Sequence, residues 1–257
     1  MTAPAYGELR RVSETASVLL ENNPSMMTLE GTNSWVLRAP DAPAAVVVDP
    51  GYRDLEHLEL LAAVGPVELI VLTHHHPDHA EGAPWLAEKV GAPVRAFDAS
   101  LCLGAEPFAD GDVLTAGGLS FEVLHTPGHT DDSVSLHVAG QILTGDTILG
   151  RGTTVLHDLG DYLRSLRRLI ELPGGTPGLP GHGPELADLP ATAREYLSHR
   201  EQRLDQVRSA LGVLGADATP RQVVEVVYAD VDQALWAPAE LSVQAQLDYL
   251  RSSEDAR

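Results

Sequence analysis

Short runs of alternating or continuous apolar residues, punctuated by Gly, Pro, Asn and Asp, interchange with leucine-rich stretches of helical period over residues 1–186; beyond them helical period dominates. Two strands are expected within residues 11–37, separated by the loop Glu21-Asn22-Asn23-Pro24-Ser25. Residues 44–48 form a short β-branched strand that ends in the turn Asp49-Pro50-Gly51. Residues 54–64 repeat leucine at helical spacing, and the acidic residues near their start suit a helix N-terminus. Val67-Glu68-Leu69-Ile70 leads as a buried strand into a polar loop. A short helix with Pro at its start is expected over 84–90. Strands follow over 94–97 and 119–124, then a pair over 133–138 and 141–143 that turns near Ala139-Gly140. Residues 161–172 read as a helix and 173–183 as a Gly- and Pro-rich loop. In the appendage, 187–257, a long helix is expected to break near Gly212 and Gly215; a second starts at the capped Thr219-Pro220, and a third covers 238–250.

Charge narrows the function. The 257 residues carry a net charge of −20, with Lys89 the only lysine. Phosphate contacts need clustered Lys and Arg, so DNA is not an expected partner, and a small-molecule substrate is favoured over RNA. No apolar run is long enough to span a bilayer, so no membrane association is expected. The first eleven residues lack the basic-then-apolar pattern of a signal peptide, which makes the cytoplasm the expected compartment. Cys102 is the single cysteine, so neither an intrachain disulfide nor a cysteine-rich zinc site is available. Oligomeric state is left open.

The chemistry concentrates in Thr73-His74-His75-His76-Pro77-Asp78-His79. His74 and His76 alternate as at the end of a strand and can point to one side, while Pro77 turns the chain so that Asp78 and His79 face a neighbouring position. Four ligand-type residues within six positions are too many for one catalytic ion with an open site, so the spacing suggests two adjacent metals. Further strand-ending loops present His129, Asp146 and His182. His75, between ligands, is expected to point away.

Read together, T-H-H-H-P-D-H, T-P-G-H-T, G-D-T and P-G-H-G resemble the metallo-β-lactamase superfamily of hydrolases. Asn23-Pro24, Met27-Thr28-Leu29-Glu30-Gly31-Thr32-Asn33, His129-Thr130-Asp131-Asp132 and Tyr196-Leu197-Ser198-His199-Arg200 extend the resemblance to the β-lactamase-like protein 2 group. It implies a four-layer αββα sandwich followed by a small, helical, winged-helix-like C-terminal domain. By position, the resemblance assigns His74, His76 and His129 to one metal, Asp78, His79 and His182 to a second, and Asp146 to a bridge. Asp146 stands where the best-known zinc β-lactamases use cysteine. The implied cofactors are two divalent ions, zinc first and manganese second. Asp78 and Asp146 become the catalytic carboxylates around a metal-bridging hydroxide. Asp49 and Asp131 are candidates to orient ligand imidazoles, with turn formation an equal alternative.

Thr153, Thr154, His157, Asp158 and Tyr162 lie between two ligands and are candidate pocket residues; His199 is a candidate to reach in from the appendage. The arginines along the helices at 164–168 and 194–208 are interleaved with acidic residues and read as a solvated face. The leading functional expectation is hydrolysis of a small ester, thioester or amide. The alternative is a single-strand-specific endoribonuclease, as the β-lactamase-like protein 2 resemblance implies.

Overall fold

A computed structural model describes residues 5–255, with side chains through Ser252. The first sheet runs in chain order through β1 (Arg10–Arg11), β2 (Ala16–Leu20), β3 (Asn33–Leu37), β4 (Ala45–Val48), β5 (Val67–Val71) and β6 (Val94–Arg95). Its pairs are antiparallel up to β4 and parallel from β4 to β6. The second sheet has the order β11-β10-β9-β8-β7, built from β7 (Val113–Ala116), β8 (Leu119–His125), β9 (Val134–Val138), β10 (Gln141–Gly145) and β11 (Gly178–Pro180). β11 joins β10 in parallel; it lies in the stretch that reads as a loop, because three residues between Gly and Pro carry no periodicity.

Strand alternation makes the layers. Trp35, Leu37, Val46, Val48, Leu69 and Val71 face inward against Phe121, Val123, Leu136 and Leu143 of the second sheet, and form the inter-sheet core. The opposite face of the first sheet, with Val36, Val47 and Ile70, packs on α1 (Leu55–Ala62) and α3 (Ala83–Val90). Between these helices lies α2 (Pro77–Ala80), a single turn. On the outer face of the second sheet, Leu124 and Ile142 meet α4 (Leu159–Ile170), whose Leu159, Tyr162, Leu163, Leu166 and Leu169 form one apolar stripe. The result is the expected four-layer αββα arrangement.

The C-terminal part is helical: α5 (Leu189–Leu214), α6 (Pro220–Val227) and α7 (Trp236–Asp255), with no strand after β11 among the described residues. α5 runs through Gly212 and breaks at Gly215, within the expected region; one exposed glycine costs a helix about 1 kcal/mol, which the buried stripe of α5 outweighs. The helix ends at Gly215, φ 97°. α6 starts with the reciprocal capping box of Thr219 and Gln222. Leu204, Val207, Val223, Val243 and Leu247 join the same hydrophobic cluster as α4 and the second sheet, so the helical module and the sandwich share one core. None of the described helices is long and apolar enough to cross a membrane.

The loop between β8 and β9 is set against α4 by Gly128, whose carbonyl accepts from His157 and Asp158. At its φ of 128°, a Cβ would stand 2.5 Å from the Cα of Tyr162 and 2.6 Å from its nitrogen. Gly128→Ala is therefore expected to destabilise the fold by about 1–3 kcal/mol, through overpacking against backbone that cannot yield. Urea denaturation measures this; an unchanged midpoint would show that the loop and α4 are free to separate.

Candidate metal centre

The ligand-type residues follow the C-terminal ends of strands. Asp49 follows β4, His74 follows β5, His129 follows β8, Asp146 follows β10 and His182 follows β11. Asp78 and His79 sit on α2, directly after His76. Because the two sheets pack face to face, these ends meet at one rim. Three sets of side-chain atoms converge within 4.8 Å of one another: His74, His76 and His129; His74, His79 and Asp146; Asp78, His79 and His182. Within the first set His74 Nε2 lies 3.1 Å, and His129 Nε2 3.0 Å, from His76 Nδ1. Around the others, His182 Nε2 lies 3.2 Å from Asp78 Oδ2, 3.3 Å from Asp146 Oδ2 and 3.3 Å from His79 Nε2. Asp146 also lies 3.8 Å from His129 Nε2, between the two groups.

The outer ring nitrogens are each committed. Thr73 Oγ1 donates to Asp49 Oδ2 at 2.6 Å, which leaves it to accept from His74 Nδ1 at 3.1 Å. His79 Nδ1 donates to Asp49 Oδ2 at 2.9 Å, His129 Nδ1 to the Val155 carbonyl at 2.9 Å, and His182 Nδ1 to the Gly31 carbonyl at 3.1 Å. All four Nε2 atoms thus face the centre, and each offers a lone pair there whenever its ring is neutral. Burial, reinforced by neighbouring imidazoles, holds His74 well below the ordinary histidine range, and burial lowers His76 to about 4. Burial also lowers His129. In the other group burial is outweighed by charge: Asp146 and Asp49 raise His79 well above its usual range, and Asp146 with Asp78 raises His182 to about 9. Burial opposes ionisation of Asp78 and Asp146, but the histidines beside them hold both below the usual carboxylate range.

These donors fit divalent cations. Neutral imidazole lone pairs converge across about 3 Å, and Asp146 Oδ1 is buried with no hydrogen-bond partner. Nitrogen and carboxylate oxygen are ligand types that zinc accepts.

Beside the cluster opens a cavity of about 360 Å³. His129 and Asp146 form its inner end; Thr153, Thr154 and His199, read from the sequence as pocket residues, line it. Met26, Met27 and Leu29 form one wall, and Tyr228, Val231, Leu235 and Pro238 of the helical module another. Three expected pocket residues lie elsewhere; His157 is exposed, outside the cavity lining. Asp158 caps α4, accepting from the Asp161 amide, and Tyr162 is buried in the α4 stripe with its hydroxyl donating to the Thr147 carbonyl. Helix formation claims both. Of the two carboxylates considered for orienting imidazoles, Asp49 does so; Asp131 reaches no ligand, and its carbonyl instead bonds His125. His75 points outward to Asp132, at 2.7 Å. The reading of the helix arginines as a solvated face fails at two positions. Arg200 is buried, and Arg203 is half-buried; both line the cavity. Their signal was present: Arg200 falls in the buried stripe Ala193, Tyr196, Arg200, Leu204, Val207 of α5.

Comparison with known proteins agrees with this geometry. The metallo-beta-lactamase superfamily model matches residues 27–182, and the beta-lactamase associated winged helix domain model matches 219–256. Lactamase-like protein adaB of Aspergillus niger is 33% identical over 81% of this chain and 67% of its own length. A beta-lactamase-like protein 2 homolog of Drosophila melanogaster is 30% identical over 96% of this chain and 91% of its own. Among solved structures, a beta-lactamase domain protein from Burkholderia ambifaria superposes with a TM-score of 0.81 at 22% identity, covering 98% of this chain and 90% of that one.

Two outcomes follow from Asp49 and its support. Asp49→Asn keeps the shape but weakens the hold on Thr73 and His79, so zinc affinity is expected to fall about 10–100-fold in chelator competition; an unaltered affinity would remove Asp49 from the centre. Behind Asp49, buried His57 donates from Nε2 to Ser34 Oγ, which itself donates to the Asp49 carbonyl. Burial lowers His57 from 6.5 to about 4. The unfolded chain therefore takes up this proton first as pH falls. The group's contribution is complete above 6.5, and about 3 kcal/mol of stability is lost between 6.5 and about 4. Urea midpoints across that window should vary less with pH in His57→Gln than in the parent; parallel curves would refute the assignment.

Proposed function

The chain belongs to the metallo-β-lactamase superfamily of metal-dependent hydrolases, and from that premise we propose that it hydrolyses a small ester, thioester or amide at a pair of divalent ions, zinc foremost. The observation that carries this reading is the joining of the ligand cluster to a half-open cavity with largely apolar walls, of a volume suited to one small molecule. Ions held there would polarise the scissile carbonyl and bring a water molecule to a pKa near neutrality.

The chain's own residues supply the rest. His74, His76 and His129 would hold one ion, Asp78, His79 and His182 the other, and Asp146, lying between the groups, both. Asp78 and Asp146, kept ionised by the histidines around them, offset part of the cationic charge and offer carboxylate oxygens at the reacting end of the cavity. Asp49, Val155 and Gly31 fix the imidazoles before substrate arrives, so little reorganisation accompanies reaction. Met26, Met27 and Leu29 on one side and the helical module on the other exclude bulk water from the substrate. No side-chain nucleophile is needed.

An acidic surface and a cavity whose one lining aromatic residue is Tyr228 favour a small molecule over an RNA strand, which needs a basic track and stacking platforms. The assay pairs zinc- and manganese-loaded protein with acyl thioesters, aryl esters and single-stranded RNA. Thioester or ester turnover is expected, abolished in Asp146→Ala together with loss of bound metal. RNA cleavage that vanishes in His76→Ala, with no acyl turnover, would replace this reading by the endoribonuclease one.

A further inference from the structure

Arg200 is the one Lys or Arg buried among the described residues, at 3% exposure. A terminal nitrogen donates to the Thr154 carbonyl, the guanidinium lies 5.4 Å from the Tyr162 ring centroid, and Nε has no hydrogen-bond partner. No carboxylate pairs with it, although Arg151, Arg168, Arg208 and Arg221 each have one. Arg203, three residues along α5, donates to Gln206 and the Val227 carbonyl, stacks 4.5 Å from the Tyr228 centroid, and also lacks a carboxylate. His199, with a buried, unpartnered Nδ1, lines the same cavity.

A buried guanidinium with an unused N–H and no counter-ion is unfavourable by itself. In a chain of 37 acidic residues, Asp146 is the one carboxylate that lines this cavity. A guanidinium matches the planar carboxylate and the tetrahedral phosphate, and its charge is permanent. We infer that Arg200 and Arg203, with His199, form an oxyanion-binding subsite, and that the substrate is an acyl compound carrying a carboxylate or phosphate group away from its scissile bond. The metal ligands His129 and Asp146 and the two arginines line one cavity, so a single small molecule can present its carbonyl to the ligand cluster and its anion to α5. Its apolar body would lie against Met27, Leu149 and Leu235. This assignment rests on the acyl-hydrolase reading above.

The test compares kcat/KM of the zinc-loaded, full-length protein on matched thioesters bearing a carboxylate, a phosphate monoester or a methyl ester, placed on the acyl arm in one set and the thiol arm in another. In one set an anionic substrate should exceed its neutral partner by about tenfold or more, as charge-assisted hydrogen bonds require. The better anion identifies the group recognised. That ratio should fall toward one in Arg203→Gln and Arg200→Gln, with Arg200→Lys between them and the parent; circular dichroism verifies that each variant is folded. A parent ratio near one, or a ratio that survives both glutamine variants, overturns the subsite. If no thioester is turned over, the hydrolase reading fails separately, and calorimetric titration of glutarate and inorganic phosphate decides the subsite. Binding weakened severalfold in Arg203→Gln supports it. Absent binding, or binding unchanged in both variants because it occurs at the ions, refutes it.

Discussion

The centre depends on hydrogen bonds that cross from one sheet to the other at a single rim. Apolar side chains suffice to stack two sheets, but they set no register between polar loop ends. Here the Val134 amide donates to the Thr73 carbonyl at 2.9 Å, and the Asn33 amide donates to Gly181 at 2.8 Å. Asn33 Nδ2 reaches the carbonyls of Pro180 and Gly183, and Trp35 Nε1 reaches Pro180. Each is a group that would cost about 1–3 kcal/mol if buried unpaired, so sliding the sheets apart is penalised at several points at once. Gly181 shows how close the approach is: a Cβ there would fall 2.5 Å from Asp146 Oδ1 and 2.7 Å from His79 Cε1.

That closure explains the division of charge. Bringing five imidazoles and two carboxylates together under burial leaves His74, His76 and His129 neutral, and gives His79 and His182 their protons only through Asp146, Asp78 and Asp49. A cation bound by the second group would therefore compete with protons, and one bound by the first would not. Asp49, 1% exposed and at a positive φ of 53°, is held in place by the amide and hydroxyl of Thr73, so the scaffold beneath the histidines rests on hydrogen bonds.

Much of this was legible in the residues. Individual strands followed from periodicity, and the four-layer order from the family resemblance: Leu69 and Val71 against Ile70 already announce a strand buried on both faces. The ligand types were legible because His129, Asp146 and His182 each directly follow a glycine, and the other four crowd into residues 74–79. What escaped was whatever depends on distant partners. Gly178–Pro180 becomes a strand only because β10 offers it an edge. Asp158 could be a cap or a pocket residue until helix α4 places it. Arg200 looked solvated because its neighbours in sequence are polar; its neighbours in space, Tyr162 and Thr154, come from a different part of the chain.

The shared hydrophobic cluster then decides how the helical module takes part. α5 and α7 pack on α4, and α4 packs on the sheet that delivers His129 and Asp146. A rigid shift of the module would open apolar surface along that entire contact, at about 25 cal/mol for each Å² exposed. The cavity wall formed by Arg203, Tyr228 and Leu235 is therefore anchored, through α4, to the sheet that carries His129 and Asp146. The opposite wall differs: Met26 and Met27 are about half exposed, and their loop is tied by short-range bonds from the Met27 and Thr28 amides to Ser25 Oγ and from the Thr28 hydroxyl to the Asn23 carbonyl. Methionine adapts its shape at low energetic cost. The fixed side of the cavity thus carries the polar recognition and the adaptable side the apolar contact, an arrangement that discriminates by charge position more sharply than by the shape of the acyl body.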